Sequence, residues 1–132
     1  MRYMLDTNIC SYVLRSRPAY VKARLDEAGP GALAVSTVVL AELLFGAARH
    51  REAAAIRRDI SDLVSRLEVL SWDEGAAEHY GDIRAALEKR GRPLGAMDMM
   101  IAAHARSMGA TLVSNDVRHL ERVEGLLVAN WL

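Results

Sequence analysis

The sequence predicts an α/β fold in which helices cover both faces of a central parallel β-sheet. Two observations support this: short apolar runs recur along the 132 residues, and longer segments with a helical spacing of apolar residues separate them. Strands that alternate with helices pair in parallel and are buried on both faces. Because no linker, repeat or low-complexity segment interrupts the alternation, we expect a single domain over residues 1–132.

Capping and turn residues mark the first strand and the first two helices. The apolar run at residues 3–5 is followed by Asp6-Thr7-Asn8, whose side chains favour helix N-caps, and then by helical spacing. Pro18 suits a first helical turn. A second helix is therefore expected to begin there and to end at the Gly29-Pro30-Gly31 turn.

A second strand and two further helices follow that turn. Residues 32–35 form a short apolar run, and Ser36 or Thr37 is placed to cap a helix from Val38 to about His50. The amphipathic pattern over residues 51–66 predicts another helix.

The rest of the chain repeats the alternation. Residues 67–70 are a third strand candidate, and a helical pattern over 73–90 stops at the glycine- and proline-containing segment 91–95. The remaining predicted elements are a helix at 97–108 closed by Gly109, a strand at 111–114, a short helix capped by Asn115-Asp116, and a strand at 127–129.

The charge balance argues against the strongly basic type of nucleic-acid-binding protein, since 17 Lys and Arg residues match 17 Asp and Glu residues. The charges are nevertheless segregated. A basic run of Arg15, Arg17, Lys22 and Arg24 contains no acidic residue, and the stretch from Leu67 to Asp82 contains acidic residues but no Lys or Arg. Such clusters are commonly solvated helix faces.

A cytoplasmic location is expected from the single cysteine and the polar start of the chain. Cys10 has no second cysteine to pair with, which is typical of an intracellular protein. Asp6 interrupts any apolar leader, and no stretch of about 18 apolar residues is present, so no membrane association is predicted.

Four acidic residues stand where a parallel sheet of this kind binds ligands, at the carboxyl ends of its strands. Asp6 and Asp116 follow predicted strands, and Asp98 lies near the start of a helix, where a carboxylate also caps or complements the helix dipole. Glu42 interrupts a helix that is apolar around nearly its whole circumference and is therefore expected to be buried. Asp98 has similarly apolar neighbours in sequence, and we expect it to share this burial.

A buried carboxylate needs a partner, a raised pKa or a metal ion. No basic residue lies three or four positions from Glu42, so its partner is either a distant arginine or a metal ion shared with the other acids. If the four carboxylates converge, an all-oxygen cluster suits Mg²⁺ or Mn²⁺ better than zinc. Such an ion activates water for attack on a phosphodiester, which is nuclease chemistry.

Other catalytic patterns are absent from the sequence. The four histidines show no zinc-ligand spacing, and neither a phosphate-binding loop nor a G-x-S-x-G nucleophile motif occurs.

The chain resembles the PIN-domain ribonucleases, specifically the VapC toxins of bacterial toxin–antitoxin modules. The resemblance rests on four motifs in order, and it covers essentially the whole chain. The motifs are Leu5-Asp6-Thr7-Asn8, Ser36-x5-Glu42-Leu43-x-x-Gly46, Gly95-x-x-Asp98-x-x-Ile101-Ala102 and Val113-Ser114-Asn115-Asp116.

The resemblance implies a PIN-like α/β/α sandwich in which Asp6, Asp98, Glu42 and Asp116 are catalytic and hold Mg²⁺ or Mn²⁺. Asp6 and Asp98 are expected to be the primary ligands, with Glu42 and Asp116 binding directly or through water. Residues expected to support them, unless they serve only as helix caps, are Thr7, Asn8, Ser114 and Asn115.

The resemblance also implies a substrate and a partner. The substrate would be RNA, in many members a tRNA anticodon loop, and the segments 66–70 and 83–85 with Trp131 resemble the branch that cuts initiator tRNA. The partner would be a VapB-type antitoxin, with the chain as a homodimer or in a hetero-oligomer. The basic run from Arg15 to Arg24 and the Arg90-Arg92 pair are candidates for phosphate contact if they are not simply solvated.

Two alternatives from other functional classes are also compatible with the sequence. A PIN-like module that binds protein or RNA without cutting would share the fold, although no acidic position is lost here. A phospho-acceptor receiver-like domain would fit the length and the acids, but no lysine follows a terminal strand as that chemistry requires.

Overall fold

The computed structural model describes residues 2–15, 19–29 and 31–131. Within them, five strands form one all-parallel sheet in the order β3-β2-β1-β4-β5. The strands are β1 (Tyr3–Leu5), β2 (Leu33–Ser36), β3 (Glu68–Leu70), β4 (Thr111–Val113) and β5 (Leu127–Ala129).

Seven helices in the described part of the chain flank this sheet, which confirms the predicted α/β architecture. In chain order they are α1 (Thr7–Leu14), α2 (Ala19–Ala28), α3 (Thr37–Ala48), α4 (Ala53–Val64), α5 (Glu74–Lys89), α6 (Ala96–Ser107) and α7 (Val117–Leu120). None of them is long and apolar enough to cross a membrane.

The sheet reverses its direction of growth beside β1. The chain runs outward from β1 through β2 to β3, and then returns to place β4 against the other side of β1, with Leu5 opposite Val113. Adjacent loops at such a switch point leave the sheet in opposite directions and open a crevice at the carboxyl ends of the strands. Residues that follow β1 and β4 therefore border that crevice.

The core is built on the three central strands. Met4, Leu5, Val35, Leu112 and Val113 are at most 1% exposed. On α6, alanines 102, 103 and 105 are fully buried, and such small side chains let a helix pack closely on the sheet and on α5. This packing holds the crevice-bordering residues on rigid elements.

The predicted element boundaries are close to the observed ones. The second strand begins and ends one residue later than predicted, and the fourth helix begins at Ala53 instead of Arg51. The predicted helix start at Pro18, together with Arg17 and Pro30, lies outside the described residues.

One expectation about burial was wrong. Helix α3 is not buried around its whole circumference, since Ala41 is exposed and Phe45 is 65% exposed. Val38, Val39 and Leu43 face the core, while the opposite side of the helix reaches solvent. Apolar composition alone does not reveal which sector of a helix a neighbouring element covers.

A buried hydroxyl links the end of β2 to α6. Ser36 is fully buried, and its Oγ accepts a hydrogen bond from the Val38 N–H at 3.1 Å, which caps α3. His104 Nδ1 lies 2.8 Å from the same oxygen. Burial lowers the pKa of His104, while the charge of Asp73 opposes the shift. The lowered pKa favours the neutral imidazole, and a hydrogen bond joins its Nδ1 to the Ser36 hydroxyl.

We predict that Ser36→Ala destabilises the protein by about 2 kcal/mol, because it removes an N-cap and leaves a buried imidazole nitrogen unpartnered. Thermal or urea unfolding measures this change. Ser61→Ala, at an exposed site on α4, is the matched control and is expected to stay within about 0.5 kcal/mol of the unmodified protein. Equal stability of the two variants would contradict the assigned role of Ser36.

Candidate active site

The crevice between the ends of β1 and β4 contains three of the four predicted acids. Asp6, Asp98 and Asp116 line a small cavity of about 70 Å³, with Asn8 and Ser114 beside them. Ile101, Leu112 and Leu120 form its apolar floor. Residues that are up to 110 positions apart in sequence thus meet at one edge of the sheet, as the strand order requires.

Asp6 both caps a helix and lines the cavity. Its Oδ1 accepts a hydrogen bond from the Ile9 N–H at 2.8 Å and so caps α1. Burial raises the pKa of Asp6, and repulsion from Asp98 and Asp116 adds to the rise, against hydrogen bonds from Ser114 and Ile9 that lower it. The carboxylate is therefore held where its negative charge is disfavoured.

Asp98 lies in the first turn of α6, and the expectation that it is buried was wrong. Asp98 is exposed and lines the cavity. Partial loss of hydration raises the pKa of Asp98, and the charges of Asp116 and Glu42 raise it further, while His119 opposes them. Asp98 is thus electrostatically coupled to the other acids.

Glu42 approaches the same edge from α3. It is half-buried, and its Oε1 accepts a 2.5 Å hydrogen bond from the hydroxyl of Thr7 in the first turn of α1. Among the described residues no Lys or Arg lies within ion-pair distance of Glu42, so the distant arginine considered from the sequence is not found there. Its charge acts on Asp98 instead.

Asp116 is held by contacts that the sequence did not predict. It occupies the N-cap position of α7, but its side chain makes no capping hydrogen bond, so the predicted cap was wrong in that respect. Its Oδ1 lies 2.6 Å from His119 Nδ1, and its N–H donates to Ser114 Oγ at 3.0 Å. Ser114, fully buried, also donates to Asp6, so one hydroxyl links two of the acids.

His119 is the site residue that sequence reasoning missed. The four histidines lack zinc-ligand spacing, but the i, i+3 spacing of Asp116 and His119 places their side chains together on one helical turn.

The two asparagines differ in position. Asn8 is exposed on the first turn of α1 and lines the cavity. Asn115 is not among the residues that line the cavity, and its Nδ2 donates to the Tyr12 hydroxyl at 3.3 Å. Of the four predicted supporting residues, Thr7, Asn8 and Ser114 are brought to the acids and Asn115 is not.

The cavity lining is suited to a hard divalent cation. Its polar side chains offer only oxygen and amide groups, with no histidine or cysteine among them, and the acids repel one another electrostatically. Mg²⁺ and Mn²⁺ prefer such ligands and would relieve the repulsion. In the described part of the chain, no three Asp, Glu, His or Cys side chains are already close enough together to hold a metal ion.

Residues 3–126 match the family model of the PIN domain. The chain is 43% identical over 131 residues to the tRNA(fMet)-specific endonuclease VapC of Shigella flexneri, which covers 99% of this chain and 98% of the relative. It is 42% identical over 132 residues to ribonuclease VapC2 of Haemophilus influenzae, covering 100% and 99% respectively.

Two solved structures have folds similar to that of this chain. The fold is similar to that in DNA-bound VapBC from Salmonella typhimurium, with a TM-score of 0.95 and 36% identity over 100% of this chain and 99% of that one. It is also similar to that in VapBC2 from Rickettsia felis bound to a promoter DNA fragment, with a TM-score of 0.94 and 32% identity over the full length of both chains.

We predict that Asp6→Asn stabilises the metal-free protein at neutral pH. The folded-state pKa of Asp6 is raised, so the folded state binds more protons than the unfolded state, and stability falls as pH rises through that window. Asparagine keeps the cap to Ile9 without the charge. A gain of about 1 kcal/mol would raise the melting temperature by roughly 3–5 °C in a chelating buffer at pH 7.

The gain is expected to vanish at acid pH, where Asp6 is protonated in both states. Asp62→Asn, at an exposed position on α4, is the control and is expected to leave the melting temperature unchanged. A melting temperature of Asp6→Asn below that of the unmodified chain at pH 7 would show that Asp6 is not electrostatically disfavoured.

Proposed function

The chain belongs to the PIN-domain family and within it to the VapC ribonucleases, and on that basis we propose that it is the toxin of a VapBC toxin–antitoxin module and a metal-dependent endoribonuclease. The observation that carries the proposal is the meeting of Asp6, Asp98 and Asp116 in one cavity at the switch point, with Glu42 coupled to them by charge. Family membership also argues against the receiver-like alternative.

We assign metal binding and catalysis to these four acids. Asp6 and Asp98 would hold Mg²⁺ or Mn²⁺ most directly, with Glu42 and Asp116 bound directly or through water. When bound, the ion supplies a water of lowered pKa and offsets negative charge on the phosphate.

The chain's own contacts orient these ligands and attract the substrate. Hydrogen bonds orient two of the carboxylates: the Thr7 hydroxyl donates to Glu42, and the Ser114 hydroxyl donates to Asp6. The first turns of α1 and α6 border the same cavity through Asn8 and Asp98, and the positive dipole ends of these helices favour an incoming phosphate.

RNA is the proposed substrate, and a tRNA anticodon loop, in particular that of initiator tRNA, is the proposed target. A curated relative of this chain is a tRNA(fMet)-specific endonuclease. The even charge balance does not oppose RNA binding. When cations neutralise the four site acids, 17 basic and 13 acidic side chains remain. That modest excess limits nonspecific affinity for phosphate, so specificity must come from shape and local contacts.

A VapB-type antitoxin is the proposed partner, because the solved relatives were determined as VapBC assemblies. We further propose that the single domain of residues 1–132 acts in the cytoplasm and forms homodimers, alone or within the complex with the antitoxin.

Purified protein is expected to cut RNA only when Mg²⁺ or Mn²⁺ is present. Asp98→Asn and Glu42→Gln should each lower kcat/KM by on the order of 100-fold or more, because each removes charge that positions the ion. Asp82→Asn, an exposed acid on α5, should retain full activity. Cleavage that persists in a chelator would refute the metal mechanism, and tight Mn²⁺ binding without cleavage of any RNA would favour the non-catalytic PIN-like module.

The target is tested by mapping new 5′ ends in cellular RNA after brief expression of the chain. We expect a single dominant cut in the anticodon loop of initiator tRNA, with elongator methionine tRNA intact, and no cut with Asp98→Asn. Cuts spread over messenger RNA, dependent on Asp98, would retain the ribonuclease but exclude the proposed target.

A further inference from the structure

A groove of about 550 Å³ lies next to the acidic cavity, between α1, α3 and α4. Thr7 and Glu42 form its end nearest the acids, and Arg15, Phe45 and Arg49 lie farther along it. We call this the α3 groove. The hydrogen bond from Thr7 to Glu42 makes the groove continuous with the catalytic edge.

Phe45 is unusual among the apolar residues of α3. It is the only phenylalanine in the chain and is 65% exposed, although α3 otherwise directs large apolar side chains inward. The guanidinium of Arg49 lies over its ring at 5.2 Å from the centroid. An exposed ring with an arginine beside it is the arrangement on which single-stranded nucleic acids stack their bases.

The ring lies about one helical turn along α3 from Glu42. Glu42 and Phe45 are three positions apart on one helix, so their side chains lie on the same side with a rise of about 4.5 Å along the axis. A base adjacent to a phosphate held beside Glu42 would therefore lie near Phe45, which lines the same groove.

The arginines of the α3 groove are suited to bind the phosphates of a single-stranded nucleic acid. Arg15 and Arg49 are both exposed, and neither forms an ion pair among the described residues. Arg15 is also held against an aromatic ring, that of Tyr12, at 5.1 Å. Guanidinium groups bind phosphate in a bidentate manner, and contact with an aromatic ring restricts their motion before binding.

We propose that Phe45 stacks on the base next to the scissile phosphate of single-stranded RNA, while Arg49 and Arg15 contact the flanking phosphates. This inference rests on the proposed ribonuclease function and extends it to substrate selection. A base must leave its own helical stack to reach Phe45, so the groove selects unpaired loop nucleotides over duplex. RNA is favoured over a peptide because the groove joins the acids that would receive a phosphate.

The test measures binding of a short fluorescent single-stranded RNA in Mg²⁺, with every variant made in an Asp98→Asn background to prevent cleavage. Phe45→Ala should weaken binding about 5- to 150-fold, since stacking on one base contributes about 1–3 kcal/mol. Phe45→Tyr keeps the ring and should stay within about threefold. Leu127→Ala removes an exposed apolar side chain from β5, outside the groove, and should bind as the background does.

An abasic scan of the RNA identifies the stacked base. Removing one base at a time should weaken binding at a single position next to the cut site, and that loss should disappear in Phe45→Ala. Coupling of this kind is expected only if the ring and the base touch.

Three results would overturn the inference, and they are distinguishable. If the unmodified chain neither binds nor cuts RNA, the proposed function fails together with the inference. If it cuts RNA but Phe45→Ala binds RNA as tightly as the background, only the inference fails. If Phe45→Ala loses affinity for its VapB antitoxin and keeps that for RNA, the α3 groove is a peptide site.

Discussion

Electrostatic repulsion among carboxylates at the carboxyl edge of the sheet is the constraint on which the rest of this structure depends. Burial and mutual repulsion raise the pKa values of Asp6 and Asp98. Like charges held together cost free energy, and the protein tolerates that cost only because rigid elements hold the groups in place. The same repulsion provides affinity for a divalent cation, so the feature that destabilises the isolated chain is the one that equips it for phosphodiester chemistry.

The surrounding scaffold offsets this cost with hydrogen bonds that serve two purposes. Asp6 caps α1 while it faces the cavity, and Ser114 joins the backbone of Asp116 to the side chain of Asp6. Farther from the cavity, Ser36 caps α3 and contacts the buried His104, which ties the helix that carries Glu42 to α6. Loss of any of these contacts would disturb stability and site geometry together.

Local signals in the sequence explain why so much of the fold was predictable. Caps such as Ser36 and terminators such as Gly109 act within one helical turn, so helix ends fell within about two residues of their predicted positions. The errors concerned burial. Asp98 was expected to be buried because its sequence neighbours are apolar, and α3 was expected to be covered on all sides. Exposure depends on which elements pack against a helix, and sequence neighbours do not report that.

The sequence by itself determined the alternation of strands and helices, the helix caps and the order of the four acidic motifs, because each depends on residues a few positions apart. Only the tertiary structure decided that Thr7 binds Glu42, that Asp6, Asp98 and Asp116 line one cavity, and that Phe45 lies exposed in the groove that Glu42 also lines. These contacts depend on the strand order at the switch point and on the side of the sheet to which each helix returns. Local periodicity carries no information about either, so the crevice exists only once the chain has folded.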